Sequence, residues 1–218
     1  MLELLRVVLP LGLAAAVSPV MVSEQAVIVG GPRGRRTGAL YAVGTLVVLV
    51  GVTLGGWLLG RSLKLPSFPD LNATTDLVVG LALVAAAVLV ARYRPRHPKT
   101  ATPHTHGPMS ARAALGFGGA SMATNVTTLT LVLVAVKDVA AAGQPAALSM
   151  AVLGLLVILG AASAWVPVAL AFLPGQSITV MTKISRAVSA HSRQIAVAVL
   201  LLAGAYLVIR GVVHFVDL

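Results

Sequence analysis

The chain has 218 residues, of which 58% are hydrophobic and only 10% charged, with a mean hydropathy of +0.96. A soluble domain of that composition could not cover its surface with polar groups, which excludes a water-soluble enzyme and points to an integral membrane protein. The formal charge of +10 is read below from its position along the chain, and the absence of cysteine excludes disulfides, thiol redox chemistry and thiolate metal sites.

A helix needs roughly 20 apolar residues to cross a hydrocarbon core about 30 Å thick. The first candidate runs from Leu4 to Val29. It could suggest a cleaved signal peptide, but the apolar run continues past Pro19 and further hydrophobic spans follow. The second lies within Thr37 to Gly60, the third near Thr74 to Ala91 and the fourth within Ala113 to Val136. The uncharged run from Val139 to Thr182 is bounded by Gly143-Gln144-Pro145 and Pro174-Gly175-Gln176 and reads as one fifth helix, tilted or kinked at Pro167. The sixth spans Ile195 to Val216. The expected fold is all-α, a single membrane domain over residues 1–218 with six transmembrane helices.

Charge orients these spans. Arg33, Arg35 and Arg36 follow the first helix, Arg92, Arg94, Arg96, Lys99 and Arg112 flank the loop after the third, and Lys183, Arg186 and Arg193 precede the sixth. Cytoplasmic loops carry an excess of Lys and Arg, so both termini are expected outside and the basic loops inside. The positive charge then serves orientation and contact with anionic lipid heads, not nucleic acid.

Three helices on either side of a long loop suggest repeat one at 1–92, a cytoplasmic loop at 93–111 and repeat two at 112–218. An odd number of crossings per half makes the second half inverted relative to the first. Aligning Pro10 to Val22 with Gly116 to Thr128 sets Ser18-Pro19 over Thr124-Asn125. The loop "RYRPRHPKTATPHTHGPMSAR" has no apolar periodicity and reads as a linker. Its His97, His104 and His106 could collect a metal, but without carboxylates they make a poor site, and no metal or other cofactor is expected. The segment "ITVMTKISRAVSAHSR" reads as a short interfacial helix or an early start to the sixth span. Gly51, Gly55 and Gly56 offer a small-residue face in the second helix, where a homodimer could pack.

Within the first span Pro19 cannot donate a backbone hydrogen bond and pushes Ser18 out of helical geometry, freeing carbonyls one turn earlier. In lipid those groups need partners, so such a break either faces a cavity or is a simple kink. Glu24, with Gln25 beside it, lies in the uncharged interval between Arg6 and Arg33. A carboxylate there is costly, so it has either a site role or an arginine of the next loop as its partner at the interface. In the fourth span Ser121, Thr124, Asn125 and Thr128 recur at spacings of three and four, which on a continuous helix form one polar stripe. The stripe reads as a cavity wall opposite the Ser-Pro break, with helix-to-helix glue as the alternative. Lys137-Asp138 ends that span as an anchor or an outer gate. Nothing resembles a nucleotide loop, a zinc-protease helix or a nucleophile elbow, and no enzyme activity is expected.

The stretches "LPLGLAAAVSPVMV", "GGPRGRRTGALYAVG", the His- and Pro-bearing loop and "GFGGASMATNVTTLTLVLVAVKDVAAAG" resemble the lysine-exporter (LysE) superfamily, and within it the family named for peptidoglycolipid addressing proteins, which includes sulfolipid-addressing members. That resemblance implies a bacterial inner-membrane protein of two inverted three-helix repeats that helps export small molecules or envelope glycolipids. The family's first-repeat motif falls on Ser18 and Pro19. In the second repeat many relatives have Asn-Pro-Lys, whereas here Asn125 is followed by Val126 and Thr127, which argues against an amino-acid or cation site built on that lysine. The sequence thus leads to a proton-coupled exporter of an amphipathic lipid or other small molecule, with Ser18, Pro19, Glu24, Gln25, Ser121, Thr124, Asn125 and Thr128 around a mid-bilayer gap. The alternatives are a non-transporting scaffold of a larger lipid-export or biosynthesis complex, and amino-acid or metal-ion efflux.

Overall fold

The structure is a computed structural model that describes residues 2–31, 33–62, 69–92, 109–172 and 177–216. Those residues form nine helices and no strand: α1 (Leu2–Ala16), α2 (Pro19–Val29), α3 (Gly34–Ser62), α4 (Pro69–Arg92), α5 (Ala111–Thr124), α6 (Val126–Ala141), α7 (Ala146–Gly160), α8 (Ala162–Phe172) and α9 (Ser177–Val216). The loop histidines, His97, His104 and His106, lie outside them.

Three segments are long and apolar enough to cross a membrane alone: Gly34–Ser62, Ala73–Arg92 and Ala190–Val213. Three helix pairs pass that test only together, bent by 52° between α1 and α2, 69° between α5 and α6, and 70° between α7 and α8. Counting each bent pair as one span gives up to six crossings. The segment before the sixth span is no separate interfacial helix, because α9 runs unbroken from Ser177.

The fifth span departs from expectation in where it breaks. Pro167 lies inside α8, and the chain turns at Ala161, six residues earlier. A proline ring crowds the carbonyl four residues before it, here Ser163, so its disturbance falls upstream of the ring. Ala164 and Trp165 both donate their N–H to Ala161 O, at 2.9 and 3.1 Å, which tightens the first turn of α8. The indole of Trp165 reaches back 2.8 Å to Ile158 O, a carbonyl that the turn leaves without its helical partner. The chain is therefore interrupted in three spans, the first, the fourth and the fifth.

Backbones meet where glycine removes the side chain. A Cβ at Gly44 would lie 2.0 Å from Leu115 O, and one at Gly118 would lie 2.0 Å from Tyr41 O, so α3 and α5 are in direct backbone contact. The Thr45 hydroxyl donates to Gly118 O at 3.2 Å across the same seam. The pairing of α4 with α9, the most extensive among the described helices, uses Gly80 and Gly204, each of which would set a Cβ 2.9 Å from the other's carbonyl oxygen. Small residues let membrane helices approach this closely. The expected small-residue face of α3 is only partly used. Gly56 packs on Leu133 and Val136, while Gly51 and Gly55 have nothing within 4 Å.

Candidate functional site

The site begins at the two caps. Ser18 is extended (φ −117°, ψ 102°) and caps α2, whose first residue is Pro19. Proline removes the N–H that would bond Ala15 O, and the Thr128 hydroxyl of α6 supplies the replacement, donating to that carbonyl at 3.3 Å. Asn125 ends α5 and caps α6, with φ −80° and ψ 74°. Its Oδ1 accepts from Thr128 N at 3.3 Å, and its Nδ2 donates to Ser18 Oγ at 3.0 Å and to Met21 Sδ at 3.2 Å. The breaks of the first and fourth spans thus touch through their own capping side chains. α1 is 15 residues long, so these breaks lie about 22 Å from its start at 1.5 Å per residue. Pro19 and Val20 share a groove with Leu89, Val90 and Arg92 at the end of α4.

Glu24 sits one turn beyond Pro19, half-buried. Tyr41 of α3 donates its phenol to Glu24 Oε2 at 2.7 Å, and Ser121 of α5 donates its hydroxyl to the same oxygen at 2.5 Å. The two hydroxyl oxygens lie 3.0 Å apart. Tyr41 is fully buried, and its ring stands at 55° to Phe117, centroids 5.8 Å apart. A carboxylate oxygen has two lone pairs, so Oε2 can accept from both hydroxyls at once. The group is not paired with an arginine of the following loop; its partners come from α3 and α5.

Gln25 points elsewhere. It is fully buried, and its Nε2 donates to Gly38 O at 2.9 Å and to Ala164 O at 2.7 Å, tying α2 to α3 and α8. Its Oε1 is buried without a hydrogen-bond partner in the protein. Neighbouring helix positions do not face the same way, which separates this tether from Glu24.

Nor do the four polar residues of the fourth span form one stripe. The bend at Asn125 interrupts the helical spacing on which a stripe depends. Ser121 faces Glu24, Asn125 faces Ser18 and Thr128 faces Ala15. Thr124 is exposed and bonds back to Ala120 O and Ser121 O of its own helix.

Lys137 and Asp138 lie inside α6, a turn before its end, in a cluster that sequence reasoning missed. Lys137 Nζ lies 3.2 Å from Asp76 Oδ1 and 3.7 Å from Asp138 Oδ1. Arg210 Nη1 donates to Asp138 Oδ2 at 2.6 Å, and Arg210 Nε lies 3.4 Å from Asp76 Oδ2, an ion pair too poorly aligned for a hydrogen bond. Two acids and two bases from α4, α6 and α9 cancel. Asp76 is fully buried, so its charge depends on these partners. In the sequence Asp76 and Arg210 look like charges flanking spans; the one signal is that Arg210 falls inside the apolar run from Ile195 to Val216. Tyr41 was also missed, because nothing in "GALYAVG" separates a site tyrosine from an interfacial one. Among the described residues no group of three or more His, Cys, Asp or Glu could hold a metal ion.

The family model described as "Sap, sulfolipid-1-addressing protein" matches residues 8–213, nearly the whole chain, and the protein belongs to that family. No curated protein and no solved structure matches it. Family membership assigns the chain to lipid or glycolipid addressing or export, and its several apolar helices make it a multi-pass membrane protein.

Proposed function

We propose that the protein is a proton-coupled exporter of an amphipathic envelope lipid, in which Glu24 takes up and releases the coupling proton. The observation that carries this reading is the pair of hydroxyls, Tyr41 from the first half of the chain and Ser121 from the second, converging on one carboxylate oxygen. Protonation of Glu24 removes the charge that strengthens both hydrogen bonds. It would loosen α2 from α3 and α5, two helices that otherwise meet backbone to backbone. Ionisable groups inside membrane spans mark substrate paths and proton relays in transporters.

Two further elements belong to the proposal. One is a LysE-like arrangement of inverted repeats. Its support is that the first and fourth spans both break, that each second half-helix is capped by a side chain reaching the other break, and that the third and sixth spans form the most extensive pair among the described helices. The other is orientation in the inner membrane with both termini outside, supported by the basic loops.

The test is purified protein in liposomes carrying a fluorescently tagged sulfated glycolipid, with an imposed pH gradient. Wild type is expected to move the lipid between leaflets at a rate set by the gradient, and Glu24→Gln to abolish that dependence. A Glu24→Gln rate and pH profile equal to wild type overturns the coupling role. A wild type that moves nothing unaided favours the scaffold reading, in which the chain serves a larger export complex.

A further inference from the structure

The Glu24 site leaves one face of the bundle unused. A groove of about 790 Å³ opens between the start of α2, the end of α4 and α9. That volume falls in the range of roughly 300–1,000 Å³ typical of small-molecule sites. Pro19, Val20, Leu89, Val90 and Ala196 give it apolar walls, and Arg92, Ser192 and Arg193 its polar edge. Among the described residues no carboxylate lines it, so its charge is positive. Both arginines lie at the ends of apolar spans, Arg92 closing Ala73–Arg92 and Arg193 just inside Ala190–Val213. Charged side chains at the ends of apolar spans reach the level of lipid headgroups.

Arg193 is also held in place. Its Nε donates to Val90 O at 3.0 Å and its Nη2 donates to Ala91 O, so the guanidinium is seated on the C-terminal carbonyls of α4. Of the five N–H donors on a guanidinium, these bonds use two. A planar guanidinium seated in this way, on a groove that Arg92 also lines, matches the oxyanion of a sulfate ester or phosphate, which accepts paired N–H bonds.

We infer that this groove is a binding site for a membrane lipid with a sulfate- or phosphate-bearing headgroup, the oxyanion on Arg92 and Arg193 and the first methylenes of a chain against Pro19, Val20 and Ala196. Leu89 to Arg92 and Arg193 to Ala196 each cover about one helical turn. The site therefore takes the head and proximal chain and leaves the rest in the bilayer. It rests on the lipid-export reading and adds to it a lateral entry point, with the ligand touching the Ser18-Pro19 break one turn from Glu24.

Native mass spectrometry of the full chain, with sulfatide, phosphatidylglycerol or phosphatidylcholine added in detergent, tests the site. Wild type is expected to retain both anionic lipids in preference to phosphatidylcholine. Arg92→Gln with Arg193→Gln should lose that preference by roughly thirtyfold, from the usual contribution of two bases near a membrane surface. Arg193→Lys keeps the charge but loses both the seat on α4 and the planar fork, so it should weaken the preference less than Arg193→Gln does, and equal losses in the two would count against charge recognition of the headgroup. Ala196→Phe fills the groove and should weaken retention with no change in charge. Equal retention of phosphatidylcholine, a double variant that binds as wild type does, or displacement of sulfatide by free sulfate would overturn the site. Lipid retained without movement in liposomes counts against the export reading alone, and movement that survives the arginine double variant counts against the groove alone.

Discussion

Thr128→Val asks whether the break in the first span is held by the second half of the chain. The substitution keeps shape and removes the hydroxyl that donates to Ala15 O, the carbonyl freed by Pro19. Thr128 and Ala15 are 2% and 1% exposed, so water does not replace the lost donor. An unsatisfied buried acceptor costs about 1–3 kcal/mol. Polar contacts between membrane helices average nearer ~0.6 kcal/mol with a maximum of ~1.7. At 3.3 Å the bond is longer than the usual 2.5–3.0 Å of an O–H donor, which favours the lower end, about 1 kcal/mol. Pro19→Ala returns a backbone N–H that reaches the same carbonyl once the span straightens through Ser18, making the hydroxyl redundant. In that background Thr128→Val is expected to cost a few tenths of a kcal/mol at most, giving a coupling of roughly 1 kcal/mol in a double-mutant cycle. Reversible unfolding in bicelles measures all four proteins. A Thr128→Val cost that is the same with proline or alanine at position 19 would refute the exchange of one donor for the other.

Two further substitutions probe the packing. Gly118→Ala sets a methyl 2.0 Å from Tyr41 O and must separate α3 from α5; a loss of about 1–3 kcal/mol is expected from overpacking, read as a lowered midpoint of thermal unfolding in detergent, and an unchanged midpoint would contradict the backbone contact. Asp76→Asn leaves Lys137 and Arg210 with Asp138 alone. Breaking a buried pair costs about 3–5 kcal/mol, and because the two bases are 25% and 17% exposed a value near or below the lower end is expected. Adding Lys137→Met should recover part of it, and no recovery in the same unfolding assay would mean that the cluster does not act through charge balance.

Glu24, Tyr41 and Ser121 show how local pattern and tertiary placement divide the information. Glu24 stood out because a carboxylate in an apolar run is expensive wherever the run sits. Ser121 was legible as one of several polar residues in the fourth span. Tyr41 was not, since an interfacial tyrosine and a buried site tyrosine have the same neighbours in sequence. Asp76 and Arg210 were hidden in the same way. Each reads as a charge near the end of a span, and only the packing of α4, α6 and α9 shows that they meet.

Composition and periodicity were enough to determine a multi-pass helical membrane protein, because the bilayer demands long apolar helices whatever their arrangement. The Ser18-Pro19 interruption was equally legible, since a missing N–H is a property of one residue and its near neighbours. What only the tertiary structure decided is where the other two breaks fall and what each break is paired with. Asn125 and Ala161 are not themselves strong breakers: the bend at Asn125 is held by Ser18, distant in the chain, and that at Ala161 by the nearby Pro167 together with the hold of the distant Gln25 on Ala164. A helix in lipid can open only where another element satisfies its freed backbone groups, and which element arrives is settled by the packing of the whole bundle.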